Sequence, residues 1–165
     1  MHMTAVRISV GIADMQVAVG DGLLVTHALG SCIGLSVYDP VTKVGGMLHF
    51  MLQKPSSSEQ EQSKPAAMFA TTGVPLLFRE AYRLGARKER LIVCAAGGAS
   101  LLDDCDRYQI GKRNRIMMRK ILWKNGVALA AEDTGGHVAR SFTLDRSDGT
   151  TTVWVKREEC VLWQP

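Results

Sequence analysis

The residues best suited to chemistry in this 165-residue sequence are a cysteine and a histidine on either side of a hairpin pattern. Cys32 and His49 flank two apolar stretches that meet at the turn-forming run Asp39-Pro40-Val41-Thr42. If that run is the loop, Tyr38 faces Lys43, and Cys32 faces His49. Directly opposed residues have Cβ atoms about 4.5–5.5 Å apart, close enough for a thiol and an imidazole to exchange a proton. The spacing therefore predicts a Cys–His dyad, which a one-residue slip of register would remove.

A cysteine beside a histidine could attack an acyl or amide carbon. A free thiol has a pKa of about 8.5, and a neighbouring imidazolium favours the thiolate. Gly30 and Ser31 precede Cys32, and a small turn there could admit a bulky substrate and direct backbone N–H groups at a tetrahedral oxyanion. Thr26 could supply a third group, which would orient the His49 ring or polarise the substrate carbonyl.

Each of these residues also has an ordinary structural interpretation. A cysteine near a strand is often a small buried hydrophobe, and a histidine on an apolar strand is often a hydrogen-bonded core residue. His27 and His137 are competing imidazoles. Metal binding by His27, His49 and Cys32 also stays open, although no H-E-x-x-H or comparable ligand spacing supports it.

Apolar periodicity indicates the elements that position the dyad. The first quarter of the chain has the alternation of antiparallel strands, followed by the hairpin around the dyad. Later elements are expected as helices over 66–84 and 111–125, and as strands over 91–95, 127–131, 138–144 and 151–155. Segment 53–65 lacks an apolar side chain, so we expect a mobile surface loop, either a tolerated insertion or a substrate lid.

The order of these elements predicts a mixed α+β domain, and the length and composition fit a single domain over residues 1–165. Hydrophobic residues make up 46% and charged residues 22%, and no apolar run approaches the ~20 residues that cross a bilayer. This argues against disorder and membrane insertion. The net charge of +4 does not require nucleic acid as a partner, and no glycine-rich phosphate loop is present.

The cytoplasm is the expected location, because the first seven residues lack a basic segment followed by an apolar stretch. The four cysteines form no C-x-x-C pair and are expected there as free thiols: Cys32, Cys94, Cys105 and Cys160.

Three further motifs have weaker claims on chemistry. Gly97-Gly98 could line a substrate cleft, although tight packing at a strand end explains the pair nearly as well. A local cap or pairing role is favoured for Asn114 over substrate contact. Glu132-Asp133 is a poor candidate for paired-carboxylate catalysis, because adjacent strand residues point to opposite faces.

Two segments containing the dyad carry a family resemblance: Thr26-His27-Ala28-Leu29-Gly30-Ser31-Cys32-Ile33-Gly34 and Gly45-Gly46-Met47-Leu48-His49-Phe50-Met51-Leu52. Four later segments follow: Pro75-Leu76-Leu77, Gly97-Gly98-Ala99, Ile110-Gly111-Lys112-Arg113-Asn114 and Ala131-Glu132-Asp133-Thr134-Gly135-Gly136. Together and in this order, they resemble the CheD family, the chemoreceptor glutamine deamidases of bacterial chemotaxis. The resemblance covers most of the chain.

The resemblance implies an enzyme that hydrolyses receptor glutamine side chains to glutamate through a cysteine thioester, without a metal or organic cofactor. It implies Cys32 as nucleophile, His49 as base and Thr26 as the third catalytic position. The implied fold is a layered α/β sandwich of mixed, largely antiparallel sheets flanked by helices, similar to the catalytic domains of deamidating toxins. The implied partners are the cytoplasmic domains of methyl-accepting chemoreceptors, with the CheC phosphatase as a further candidate.

Some positions depart from the family pattern and bear on the substrate groove and the partner surface: Thr71, Ala96, His137 and Ala139. Binding of CheC is therefore left open. Two alternative functions also remain. One is a receptor methylesterase, in which methanol leaves in place of ammonia, and the other is a non-catalytic adaptor that binds CheC or receptors.

Overall fold

The computed structural model describes residues 6–101 and 107–165, which form two five-stranded sheets and three α-helices. The strands are β1 (Arg7–Ser9), β2 (Asp14–Val19), β3 (Leu23–Leu29), β4 (Ile33–Asp39), β5 (Val44–Phe50), β6 (Ile92–Gly97), β7 (Ala131–Thr134), β8 (Arg140–Asp145), β9 (Thr151–Val155) and β10 (Glu158–Trp163). The helices are α1 (Ser58–Ser63), α2 (Ala70–Arg83) and α3 (Ile110–Lys124). Short 3-10 turns lie at Ala66–Met68 and Lys88–Arg90.

The first sheet has the strand order β1-β3-β8-β9-β10, and the second has the order β2-β5-β4-β6-β7. Only β1 with β3 and β6 with β7 are parallel among the described strand pairs. The expected α+β class with mixed, largely antiparallel sheets is confirmed. The helices α2 and α3 both lie against the second sheet. No described helix, in either of the ranges given above, has the length and apolar content to span a bilayer.

Two apolar cores separate three layers because side chains alternate along the central strands. On β5, Met47 lies in the core between the two sheets, whereas Leu48 lies in the core between the second sheet and the helices. Leu77 of α2 and Met118 of α3 fill the helix-side core. The molecule is thus a β-β-α sandwich, with the second sheet in the middle and buried on both faces.

The sequence-based boundaries are confirmed for most central elements and wrong for others. The segment 127–131 is not a strand, since β7 begins only at Ala131, and β10 was not predicted. Segment 53–65 contains α1, because the Ser57 hydroxyl accepts a hydrogen bond from the Gln60 backbone N–H and caps the helix. The Gln60 side chain accepts in return from the Ser56 N–H, at 2.6 Å. This polar capping pattern was overlooked in favour of a loop.

The register predicted for the hairpin is wrong by two residues. Asp39 pairs with Val44, and Gly34 pairs with His49, so the loop is 40–43. The cause is the Asp39 side chain, which accepts from the Val41 N–H at 2.9 Å and makes Asp39 the last strand residue. Cys32 therefore precedes β4 and does not lie directly opposite His49. A two-residue shift preserves the face on which each side chain lies, so the same strand faces still converge.

Candidate functional site

The centre of the candidate site is a hydrogen bond that joins the two sheets. Thr26 lies on β3 in the first sheet and His49 on β5 in the second, and both side chains are fully buried. Alternation places both in the layer between the sheets, as it does Leu24 and Met47. The Thr26 hydroxyl lies 2.7 Å from His49 Nδ1. The structure therefore brings together two of the three residues predicted to be catalytic.

The Thr26 hydroxyl fixes the tautomer of His49. It donates its one hydrogen to the Val10 carbonyl at 2.7 Å, so it must accept from His49 Nδ1–H. The lone pair of the ring then lies on Nε2, which is buried and has no hydrogen-bond partner among the described residues. Burial lowers the pKa of His49 from 6.5 to about 4. At neutral pH, His49 is an uncharged base whose acceptor nitrogen is unoccupied.

The sheets approach closely at this point because the residue paired with His49 is a glycine. A Cβ on Gly34 would lie 3.1 Å from side-chain atoms of Leu29 and Phe142 and 3.3 Å from the Thr26 methyl group. Those three side chains of the first sheet occupy the space that a side chain at position 34 would need. Gly34 thus allows Thr26 to reach His49 across the layer.

Cys32 lies on the turn by which the chain crosses from the first sheet to the second. The turn begins with a bulge in β3, where Thr26 pairs with Phe142 but Leu29 pairs with Arg140. Ala28 within the bulge has a φ of 59°, a left-handed conformation unusual for alanine. Residues 30–32 then connect directly to β4. The bulge therefore sets the direction in which the cysteine turn leaves Thr26.

The three carbonyl groups of this turn are all held by hydrogen bonds. The donors are the Ala99 N–H to Gly30 at 2.8 Å, the Asn114 side chain to Ser31 at 2.9 Å, and the Gly98 N–H to Cys32 at 2.8 Å. In the described ranges, the Ser31 N–H makes no hydrogen bond, the Cys32 N–H bonds only to its own thiol, and the Gly30 N–H donates to Ala28 at 3.1 Å. The turn thus has three fixed carbonyls, one N–H group that is free for a ligand, at Ser31, and one that contacts the Cys32 thiol.

The glycines predicted to line a cleft pack behind this turn. A Cβ on Gly97 would lie 2.2 Å from the Cys32 carbonyl oxygen, and the φ of Gly97 is 111°. Only glycine fits such a contact and conformation. Gly98 has its own close neighbour in the side chain of Arg115. Gly97 thus packs against the Cys32 carbonyl, and Gly98 holds the same carbonyl through its N–H.

The thiol of Cys32 is partly buried. Burial raises its pKa, and its own backbone N–H partly opposes the rise. No hydrogen bond joins Cys32 to His49, both of which are within the described residues. Because burial disfavours charge on both groups, the free protein holds a neutral thiol and a neutral imidazole. The sequence-based idea of a thiolate stabilised by a resident imidazolium is not supported.

The competing histidines lie in other surroundings. His27 is exposed, and its Nδ1 lies 2.9 Å from the Ser141 hydroxyl. It follows Thr26 on β3 and so points to the opposite face. His137 Nδ1 lies 2.9 Å from the Ser100 carbonyl oxygen. Across 6–101 and 107–165, no three histidine, cysteine, aspartate or glutamate side chains come together as a metal site would require.

The acidic pair on β7 is taken up by ion pairs. Glu132 lies 2.8 Å from Arg119, and Asp133 lies 3.2 Å from Arg140. Neighbouring carboxylates with separate arginine partners do not form an acid–base pair. Three predicted free thiols, Cys32, Cys94 and Cys160, are unpaired, and Cys105 lies outside the described residues.

Asn114 is part of the site in a way that sequence reasoning missed. Its side chain is fully buried and bonds to carbonyls 83 and 63 positions away, in Ser31 and Met51, so it makes no local cap. A usable signal was present, since Asn114 is spaced four residues from Met118 and eight from Leu122 on the buried stripe of α3. A polar residue on such a stripe needs a partner across the core.

Comparison with known proteins identifies relatives over most of the chain. Residues 51–157 match the family model described as CheD chemotactic sensory transduction. A probable chemoreceptor glutamine deamidase CheD from Syntrophus aciditrophicus is 48% identical, over 87% of this chain and 91% of the relative. Proteins with the same name from Solibacter usitatus and Pyrococcus abyssi are 46% and 42% identical, each over 87% of this chain and over 85% and 88% of their own lengths.

Proposed function

This chain belongs to the CheD family, and we propose on that premise that it hydrolyses the side-chain amides of chemoreceptor glutamines to glutamate. The named relatives are probable chemoreceptor glutamine deamidases. The observation that carries the proposal is the Thr26–His49 hydrogen bond, which leaves Nε2 of a buried, neutral imidazole without a partner in 6–101 or 107–165. Such a base, close in the fold to a cysteine turn whose Ser31 N–H is free, suits amide hydrolysis.

In the first step, the Cys32 sulfur attacks the carboxamide carbon while His49 Nε2 accepts the thiol proton. The tetrahedral intermediate collapses when the imidazolium gives that proton to the departing nitrogen, so ammonia leaves and a thioester remains. Because burial lowers the pKa of His49 to about 4, the imidazolium is a strong acid toward the leaving amine. The same burial leaves the neutral base as the resting state.

In the second step, His49 takes a proton from water as the water oxygen attacks the thioester carbon. Collapse of this second intermediate releases glutamate and returns the proton to the Cys32 sulfur. Both tetrahedral intermediates carry a negative oxygen. We assign its stabilisation to the N–H groups of Ser31 and Cys32, since the Gly30 N–H is already bonded to Ala28. Gly97 and Gly98 act by holding the turn.

The setting of the enzyme forms part of the same proposal. We expect a cytoplasmic protein that acts on the cytoplasmic domains of methyl-accepting chemoreceptors and works without a metal or organic cofactor. CheC remains a candidate partner. A single domain over 1–165 and a sandwich similar to deamidating-toxin domains also stay predictions.

The test is incubation with cytoplasmic fragments of chemoreceptors from the same host, followed by mass spectrometric mapping of glutamine-to-glutamate conversion. Cys32→Ala should convert none. The matched control is Cys160→Ala, because Cys160 is exposed on β10, at the edge of the first sheet. Both the native protein and this control should convert the same glutamines.

Absence of conversion by the native protein on every receptor fragment would contradict the proposal. A parallel incubation with fragments that carry glutamate methyl esters separates the methylesterase alternative, which predicts methanol release without ammonia release. An adaptor predicts that Cys32→Ala retains the chemotactic response of native cells. A deamidase predicts that the response is lost.

A further inference from the structure

The side chain of Asn114 links the turn that contains Cys32 to the end of β5, the strand that contains His49. Its Nδ2 group donates to the Ser31 carbonyl at 2.9 Å and to the Met51 carbonyl at 2.8 Å. Ser31 immediately precedes Cys32, and Met51 follows His49 by two residues. One fully buried amide group therefore spans the gap between the cysteine turn and the end of β5.

The helix that carries Asn114 supports the same turn by a second route. A Cβ on Gly111, in the first turn of α3, would lie 2.4 Å from the Ala99 carbonyl oxygen and 2.8 Å from that of Gly98. The N–H groups of Gly98 and Ala99 hold the carbonyls on either side of Ser31. The start of α3 thus fixes the whole turn, partly through backbone packing and partly through Asn114.

The chemistry of the contact requires two donors on one planar group. A primary amide supplies two N–H bonds in a fixed plane, and two carbonyl oxygens accept them. The Asn114 Oδ1 atom is buried and accepts no hydrogen bond from the part of the chain that the structure describes. Leaving a buried acceptor unpaired is unfavourable, so a residue selected only for packing at this position would be apolar.

We propose that Asn114 is a positioning residue that sets the reach between the Cys32 sulfur and His49 Nε2. This rests on the proposed function, in which the sulfur must give its proton to that nitrogen. The hairpin register does not itself oppose the two residues, because His49 pairs with Gly34. Their separation is therefore set by what holds the turn against β5, and Asn114 is the side chain that bonds to both.

The experiment compares Asn114→Asp with Asn125→Asp at the other end of the same helix. Asn114→Asp keeps the shape but replaces the donors by a carboxylate that repels both carbonyl groups. Asn125 is exposed and donates only to the Ile121 carbonyl at 2.8 Å, so its variant is the matched control. We measure kcat and KM on receptor fragments and hydrogen exchange of the backbone amides at residues 30–33 and 51–52.

Asn114→Asp should lower kcat by about 100-fold, the effect of misplacing reacting groups by about 1 Å, with little change in KM. Hydrogen exchange should become faster in both segments, whereas Asn125→Asp should behave as the native protein does. A native kcat in Asn114→Asp, or a loss confined to KM, would overturn the inference. If Asn114→Asp lacks a cooperative thermal transition, the test uses Asn114→Ser instead. Serine keeps one donor, so its kcat should lie between those of the native protein and an inactive variant. An unchanged kcat in Asn114→Ser would overturn the inference.

Failure of the proposed function would be visible separately. In that case the native protein deamidates no receptor, and hydrogen exchange alone tests whether Asn114 holds the cysteine turn against the end of β5. Faster exchange in both segments of Asn114→Asp, but not of Asn125→Asp, would support Asn114 as the link between turn and strand. Unchanged exchange would refute it.

Discussion

The two ends of the β4–β5 hairpin treat buried polar groups in opposite ways. At the turn, the fully buried Asp39 carboxylate accepts from the N–H groups of Val41 and Arg87 and from the Arg90 guanidinium at 2.7 Å. At the other end, Nε2 of the equally buried His49 has no hydrogen-bond partner within the described ranges. The buried polar atoms of Asp39 at the turn thus have hydrogen-bond partners, whereas the His49 acceptor at the other end has none among the described residues.

The pKa values of the two groups express this difference. Burial alone would raise the pKa of Asp39, but the Arg90 bond and the backbone N–H groups outweigh it and lower the pKa to about 2. Burial lowers the pKa of His49 to about 4 with nothing to oppose it. The satisfied end therefore holds a charge that stabilises the fold. At the other end, His49 is a neutral base, and on the proposed mechanism its Nε2 gains a partner when it accepts the Cys32 proton.

Among the variants that test this difference between the two ends, His49→Gln should have the largest effect, which is a loss of activity. Loss of the base should lower kcat for receptor deamidation by about 1,000-fold, within the range of general acid–base catalysis. The free energy of unfolding should change little, because the glutamine amide can still offer a donor to the Thr26 hydroxyl and Nε2 bonds to no described residue. Deamidation assays with urea unfolding of the same sample check both parts. A variant that is as active as the native protein would exclude His49 as the base.

The opposite result is expected at the turn with Asp39→Asn. Arg90 would lose its ionic partner, and the amide would present a donor to N–H groups that need acceptors. Because the Arg90 side chain is 28% exposed, we expect a loss of about 2–3 kcal/mol, below the usual range for a fully buried pair. The kcat of the folded variant should stay near the native value. Urea unfolding measures the loss, and an unchanged midpoint would show that the Asp39 ion pair is dispensable.

The same contrast explains which parts of the fold could be predicted. Strands such as β4, β5 and β6 are apolar on both faces or alternate clearly, so periodicity locates them. The edge strand β10 has mostly exposed residues, and its pairing with β9 depends on tertiary context. The predicted hairpin register was wrong because the register depends on one side chain, Asp39, which bonds to the nearby Val41 N–H and also to Arg87 and Arg90, 48 and 51 residues away. Periodicity does not contain that information.

The site could be predicted in part for a related reason. Local spacing suggested Cys32 and His49, and Thr26 was suggested as a third group without its place in the fold. That Thr26 reaches His49 from the other sheet depends on how two sheets stack above Gly34. Asn114 was given a local role because its partners lie far away in sequence. Contacts between layers are the part that a pattern along one chain does not predict.

A smaller effect on activity is expected from Thr26→Val, which removes the hydroxyl but keeps the branched shape. The buried Nδ1–H of His49 and the Val10 carbonyl would each lose a partner, and kcat should fall by about 10- to 100-fold, equivalent to one unsatisfied buried group. Thr26→Ser should restore most of the rate. Nitrogen NMR of His49 provides a readout specific to positioning, because the Nδ1–H tautomer should dominate in the native and Ser forms and lose its preference in Val. An unchanged tautomer with native kcat would refute the role of Thr26.

The smallest expected effect is on the pH dependence of the free energy of unfolding. This measurement distinguishes His49 from Asp39 most clearly, because the two groups titrate in different pH ranges. His49 binds a proton near pH 4 when folded but near its ordinary 6.5 when unfolded, so between these values the unfolded chain binds more protons. Stability should therefore fall as the pH is lowered through this window, by about 1 kcal/mol between pH 7 and pH 5.5 from His49 alone. Asp39, with a pKa of about 2 against an ordinary 3.8, contributes only at lower pH.

Urea unfolding of the native protein and His49→Gln should thus diverge between pH 7 and 5.5, whereas Asp39→Asn should run parallel to the native curve. Parallel curves for His49→Gln would mean that folding does not lower the pKa of His49, and burial would then not be what keeps the imidazole neutral.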